Sequence, residues 1–172
     1  YLAAVLLVGV QLMLRRPAGR MLTTWVTFGG VALLPLVVQA VQRAGGRTDR
    51  AQEEVLVVEH MGERLIGSGT PYLGPDAIAA LALGERLLGY SPYQPGMAVF
   101  GVPRALAGDF WWTDARVWFA VATVAALVAA VRITGDVRGT QAATVLPICA
   151  LTLATGGDDL PVLALCLLAL AF

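Results

Sequence analysis

The sequence predicts an all-α, polytopic transmembrane protein with an amphipathic juxtamembrane helix in a long outer loop. Three observations carry this. Charged residues are only 14% of the 172-residue chain, against about 25% in soluble domains. Mean hydropathy is +0.73. Apolar runs of helix length alternate with short polar breaks rich in Gly, Pro, Asp and Arg. A soluble chain of this size lacks the polar residues to coat so much apolar surface, so lipid is the expected solvent. The same figures exclude a disordered, collagen-like, coiled-coil or disulfide-stapled chain. The 12 basic and 12 acidic residues balance, which leaves no basic footprint for nucleic acid. Every basic residue is Arg; this reads as compositional bias, with Arg's planar fork suited to anions where a ligand is near. Cys149 and Cys166 lie inside apolar runs, and no disulfide is expected between them.

The elements follow in order. Residues 1–172 read as a single transmembrane domain, part of a longer protein, since the chain opens without Met and ends inside an apolar run. Residues 1–14 are a truncated span. Arg15, Arg16 and Arg20 form a cationic loop. Residues 21–42 are a full span, about 33 Å long at ~1.5 Å per residue and enough for a ~30 Å hydrocarbon core. Pro35 predicts a kink in it. Residues 43–113 form a long polar loop. Spans follow at 114–133 and 139–155, and a truncated one at 160–172. The Arg bias places the 15–20 and 134–139 loops in the cytoplasm, and the 43–113 loop and the Asp158–Asp159 turn outside. Met97–Leu106 is apolar but short, and Gly101, Pro103 and Arg104 interrupt it. It is expected to lie at the interface rather than span. A multi-pass protein of the cell membrane is the expected result.

Gln52–Ile66 reads as the amphipathic helix. At about 100° per residue, Val55, Val57, Val58, Met61, Gly62, Leu65 and Ile66 share one arc. Glu53, Glu59, His60, Glu63 and Arg64 share the opposite one. Glu54 falls within the apolar arc, where desolvation would raise its pKa and suit it to general-base work. Its place in the first helical turn allows a second reading, a carboxylate favoured by the helix dipole and bent back to water. Asp49 is either the N-cap or a second acid, and Glu53 reads as solvated. His60 with Glu59 and Glu63 lacks the HExxH form, so no metal is expected. Trp111 and Trp112 read as a membrane-interface belt, and Tyr rings beside a membrane groove suit sugar stacking. Arg104 and Arg116 either snorkel to lipid head groups or clamp a phosphate.

The loop also resembles a known family. An acid at the start of a juxtamembrane helix is followed by Gly69-Thr70-Pro71-Tyr72, then Tyr93-Gln94-Pro95-Gly96-Met97, then Asp114-Ala115-Arg116 opening a span. This order is similar to the polytopic GT-C glycosyltransferases, most of all the glycosyltransferase 87 group that includes polyprenol-phosphate-mannose-dependent mannosyltransferases. The resemblance covers roughly residues 49–172. It implies a sugar donor on a polyprenyl phosphate, a glycan or glycolipid acceptor of the cell envelope, and inverting transfer on the extracytoplasmic side without a cofactor. It implies an acidic base in the first outer loop, which falls nearest Glu54, with Asp49 and Glu53 as alternatives. Tyr72, Tyr93, Gln94, Arg104 and Arg116 are the expected donor-binding residues. The chain departs from the family pattern in having Glu for the usual Asp, Gln94-Pro95-Gly96 for an aromatic-Pro-Pro step, and an additional apolar segment before the first expected span. The competing expectation is a non-enzymatic polytopic membrane protein, a transport or envelope-assembly subunit.

Overall fold

The computed structural model describes residues 2–14 and 19–172. Tyr1 and the Arg15–Ala18 part of the expected cytoplasmic loop lie outside the described residues. Among those described, every regular element is helical, so the chain is all-α. In order the helices are α1 (Leu2–Met13), α2 (Arg20–Ala44), α3 (Glu53–Ser68), α4 (Pro75–Ala80), α5 (Arg86–Gly89), α6 (Val102–Ala107), α7 (Ala115–Thr134), α8 (Arg138–Val145), α9 (Pro147–Thr155) and α10 (Asp159–Ala169). Short 3-10 turns occupy Thr48–Arg50, Pro95–Phe100 and Trp111–Thr113.

Two of these helices, α2 and α7, are long and apolar enough to cross a membrane. Only 28% and 33% of their most apolar stretches is buried. The core helix of a soluble protein would be mostly covered; here Leu22, Val26, Leu34 and Val121 stand exposed. The helix continues through Pro35 to Ala44 by way of a π-helical segment at Gly29–Leu33. There the Leu34 N–H reaches back five residues to the Gly29 carbonyl. Proline has no N–H to give and its ring crowds the carbonyl four residues before it; a widened turn just upstream relieves that crowding. The 139–155 segment is not one helix. Leu146 is extended, and Pro147 starts a new helix at its first position, the place where a missing N–H costs least.

The chain divides into two compact units, Tyr1–Val38 with Phe119–Phe172, and Gln39–Trp118. In the first, Ala126 and Leu127 of α7 and Ala164 of α10 are buried together, with Trp25 of α2 against them. Its interior also holds polar groups. Gln141 Nε2 donates to Gln11 Oε1 at 2.8 Å, and Arg20 donates to the Gln11 carbonyl. These bonds bring the end of α1 and the beginnings of α2 and α8 to one end of the unit. Thr123 and Thr144 satisfy their buried hydroxyls on the carbonyls four residues back, Phe119 and Thr140, at 2.7 Å each.

The second unit is built on α3. Val57 and Met61 pack with Ala98, flanked by Leu65, Leu88, Tyr93 and Met97. Gly69, at φ +76°, takes the left-handed conformation that ends α3, and its N–H caps the Leu65 carbonyl. The short apolar segment 97–106 forms the Pro95–Phe100 turn and α6, not one continuous helix, and lies against α3. Gly62 and Gly101 make that contact. A Cβ on Gly62 would stand 2.6 Å from the Val102 nitrogen, and one on Gly101 2.8 Å from the Glu59 Cα. The two backbones touch because neither residue has a side chain.

Candidate functional site

Two features of the second unit gather the chemistry-bearing residues. One is a hollow of about 280 Å³ at the head of α3, lined by Glu53, Glu54, Val57, Tyr90, Pro92 and Tyr93. Gln52, in extended conformation, leads the chain into α3, so Glu53 and Glu54 occupy its first turn. Both are exposed. This corrects the helical-wheel expectation for Glu54: it is exposed, while Val55 beside it and Val58 and Met61, which the wheel places on the same arc, are buried. The opposite wall is stiffened from behind: the Tyr72 hydroxyl donates to the Tyr93 carbonyl at 2.8 Å. Glu53, Glu54 and Tyr93 thus line one hollow, while Tyr72 is tied to it through the Tyr93 backbone and does not line it. Gln94 is exposed and opens the 3-10 turn after Tyr93.

Asp49 does not cap α3. It lies on the preceding 3-10 turn, exposed, in a two-point bond with Arg47 at 3.0 Å and 3.7 Å from the Arg50 guanidinium. The hydrogen bond from Arg47 holds its carboxyl below the usual carboxylate range. A carboxylate held in its charged form is a weaker base.

The other feature is a buried ionic cluster that the wheel places wrongly. Glu59, expected on the solvated arc, is 2% exposed. Arg43, at the end of α2, grips it with two bonds of 2.8 and 2.6 Å. Arg104 Nε lies 3.3 Å away, and the Ala115 N–H donates to it at 3.2 Å. Arg43 also reaches Asp114 at 3.0 Å. Asp114 in turn holds Arg116 by two bonds of 2.8 Å. Burial by itself would raise the Asp114 pKa, but the bonds and charges of Arg116 and Arg43 outweigh it and keep the carboxyl below its ordinary value. Buried charges persist when paired and fully hydrogen-bonded, and these are.

Arg116 is the largest fully buried side chain of the chain's described residues. Its third contact is the Arg50 carbonyl. It is therefore a tie inside the second unit, and the expectation that it meets a ligand phosphate or snorkels to head groups is corrected by its complete burial. Arg104 keeps 15% of its side chain exposed and pairs outward with Asp109 at 2.6 Å. Glu59 was legible in principle: Val55, Glu59 and Gly62 are spaced as i, i+4, i+7, one stripe of a helix, and Gly62 marks where another backbone comes close. Its arginine partners lie far away in sequence, beyond the reach of any periodicity.

Among the described residues, no three His, Cys, Asp or Glu side chains converge as a metal site. His60 lies instead beside Glu63, Arg64 and Glu85 in a second hollow of about 290 Å³. No family model, no curated protein and no solved structure matches the chain.

Proposed function

We propose that the chain is a multi-pass membrane glycosyltransferase of the GT-C kind. It moves a hexose such as mannose from a polyprenyl-phosphate donor to a glycan or glycolipid acceptor on the extracytoplasmic face of the cell membrane. The observation that carries this reading is the hollow at the head of α3, lined by two carboxylates and two tyrosines together with Val57 and Pro92. A sugar ring has an apolar C–H face and a hydroxyl rim. Tyr90 and Tyr93 suit the first, and Glu53 and Glu54 accept hydrogen bonds from the second. The order of motifs from Asp49 to Arg116 supports the same assignment, and the exposed apolar faces of α2 and α7 support a lipid surrounding.

In the reaction, the acceptor hydroxyl oxygen bonds to the anomeric carbon from the side opposite the donor phosphate. The carbon–oxygen bond to phosphate breaks, and its electron pair leaves on the phosphate. The hydroxyl proton passes to a carboxylate, which the family spacing assigns to Glu54. One displacement inverts the anomeric configuration. Glu53, beside it in the same hollow, binds and orients.

The test is sugar transfer from polyprenyl-phosphate donors by the purified protein in detergent. Glu54→Gln is expected to lower kcat by on the order of 10²–10⁴, and Glu53→Gln to raise KM with a smaller effect on kcat. Full activity in Glu54→Gln overturns the assignment of the base. Absence of transfer by the parent chain across mannosyl, glucosyl and galactosyl donors overturns the reading itself.

A further inference from the structure

The ionic cluster of the second unit does not balance from its buried members alone. Arg43, Arg104 and Arg116 bring three positive charges, and Glu59 and Asp114 two negative ones. The third anion is Asp109, paired to Arg104 Nη2 at 2.6 Å. It differs from the other two in its surroundings. The Glu59 and Asp114 side chains are 3% and 1% exposed, and that of Asp109 is 77% exposed. It also follows Gly108, whose φ of +84° and ψ of −161° belong to glycine alone, in a short turn between α6 and the Trp111–Thr113 segment. Two anions of the cluster are therefore fixed in the interior, while the third meets Arg104 from a solvent-exposed turn.

We propose that Arg104 forms an exchangeable anion site, occupied in this structure by the carboxylate of Asp109, that takes a phosphate group in its place. The outward edge of the Arg104 guanidinium supplies N–H donors to a tetrahedral oxyanion. The buried edge stays tied to Glu59, so the donor geometry is already set before a ligand arrives. Exchange replaces one anion by another, so Arg104 is not left without a counter-charge on its outward side. The phosphate belongs to a lipid head group or to a free phosphate. The rim favours the lipid: Leu106, Phe110, Trp111 and Trp112 around the turn are all exposed, and Phe110 stacks on Trp112 with ring centres 6.0 Å apart. Apolar and aromatic side chains beside a cation suit the level of lipid head groups. The site does not depend on sugar transfer, and binding rather than turnover tests it.

The experiment is calorimetric titration of the full chain in phosphatidylcholine nanodiscs, with dihexanoyl phosphatidate in one arm and inorganic phosphate in the other. Asp109→Asn removes the competing carboxylate and is expected to bind about two- to fivefold more tightly, the scale of one exposed ion pair. Arg104→Gln, checked for folding by circular dichroism, is expected to abolish saturable binding. Tighter binding of the phosphatidate assigns the site to lipid, and equal binding assigns it to free phosphate. Unchanged or weaker binding in Asp109→Asn overturns the proposal, as does undiminished binding in a folded Arg104→Gln. Should Arg104→Gln fail to fold, the Asp109→Asn comparison decides alone.

Discussion

Replacing Glu59 by Gln tests the structure of the second unit most directly. The substitution preserves shape and removes one charge. In the parent chain the Glu59 carboxylate accepts two bonds from Arg43 and one from the Ala115 backbone, and pairs with Arg104. An amide has one oxygen and one NH2 group, so at least one guanidinium that now meets an oxygen meets N–H donors instead. The buried cluster is also left with three arginines against Asp114 alone. Removing one partner from a buried ion pair costs about 3–5 kcal/mol, most of it the uncompensated charge left behind. Glu54→Gln alters an exposed first-turn residue and is expected to stay within about 0.5 kcal/mol. The assay is reversible unfolding in mixed micelles, with the denaturing detergent fraction as the variable. A helical wheel drawn from the sequence ranks the two substitutions the other way, with Glu54 buried and Glu59 solvated. Equal stability of Glu59→Gln and the parent chain, or a larger loss in Glu54→Gln, refutes the cluster as described.

Other outcomes follow from the same geometry. Gly62→Ala or Gly101→Ala, each placing a methyl against backbone, is expected to cost about 1–3 kcal/mol or more in the same unfolding assay. Gly67→Ala, in the last turn of α3 with open space around it, is expected to be neutral or stabilising by about 0.5–1 kcal/mol. Because the folded state holds the Asp114 carboxyl below its unfolded value of about 3.9, its contribution is complete above about pH 5 and is lost as pH falls through the folded value; unfolding scans from pH 7 to 3 check this, and Asp114→Asn is expected to flatten the acid limb. Impermeant thiol labelling in a Cys149→Ala, Cys166→Ala background is expected to modify a cysteine at Ser68 from outside the cell and to spare one at Thr134; the reverse pattern would move the proposed site to the cytoplasm.

Much of the helical layout was legible. Composition and period located α2, α3 and α7 to within a few residues, because each is long and its pattern is local. The interruption of the 97–106 segment was legible too, from Gly101 and Pro103. The break at Leu146–Pro147 was not drawn, although Pro147 marks it, because the apolar composition on both sides reads as one run. The candidate site was legible only in part. Glu53, Glu54 and Tyr93 line one hollow, and Tyr72 bonds to its wall at the Tyr93 carbonyl. The spacing of Glu59 with Val55 and Gly62 hints at its burial, but nothing near it or near Arg116 in sequence shows the contacts that come from distant segments. Hydrophobicity scores a carboxylate or guanidinium as though it faced water; the contacts that reverse that score, Arg43 on Glu59 and the Arg50 carbonyl on Arg116, come from other elements.

The crossing of Gly62 and Gly101 has a consequence for how this protein can change over time. Most packed pairs can drift together, one side chain growing as its neighbour shrinks, and such pairs leave a correlated trace among descendants. Here both members are already at the smallest size available. No change at one position makes room for a change at the other, so the pair has no compensating route. Across descendants that keep this crossing, the two positions would stand still rather than vary in step, and a method that finds contacts by correlated change would be blind to this one.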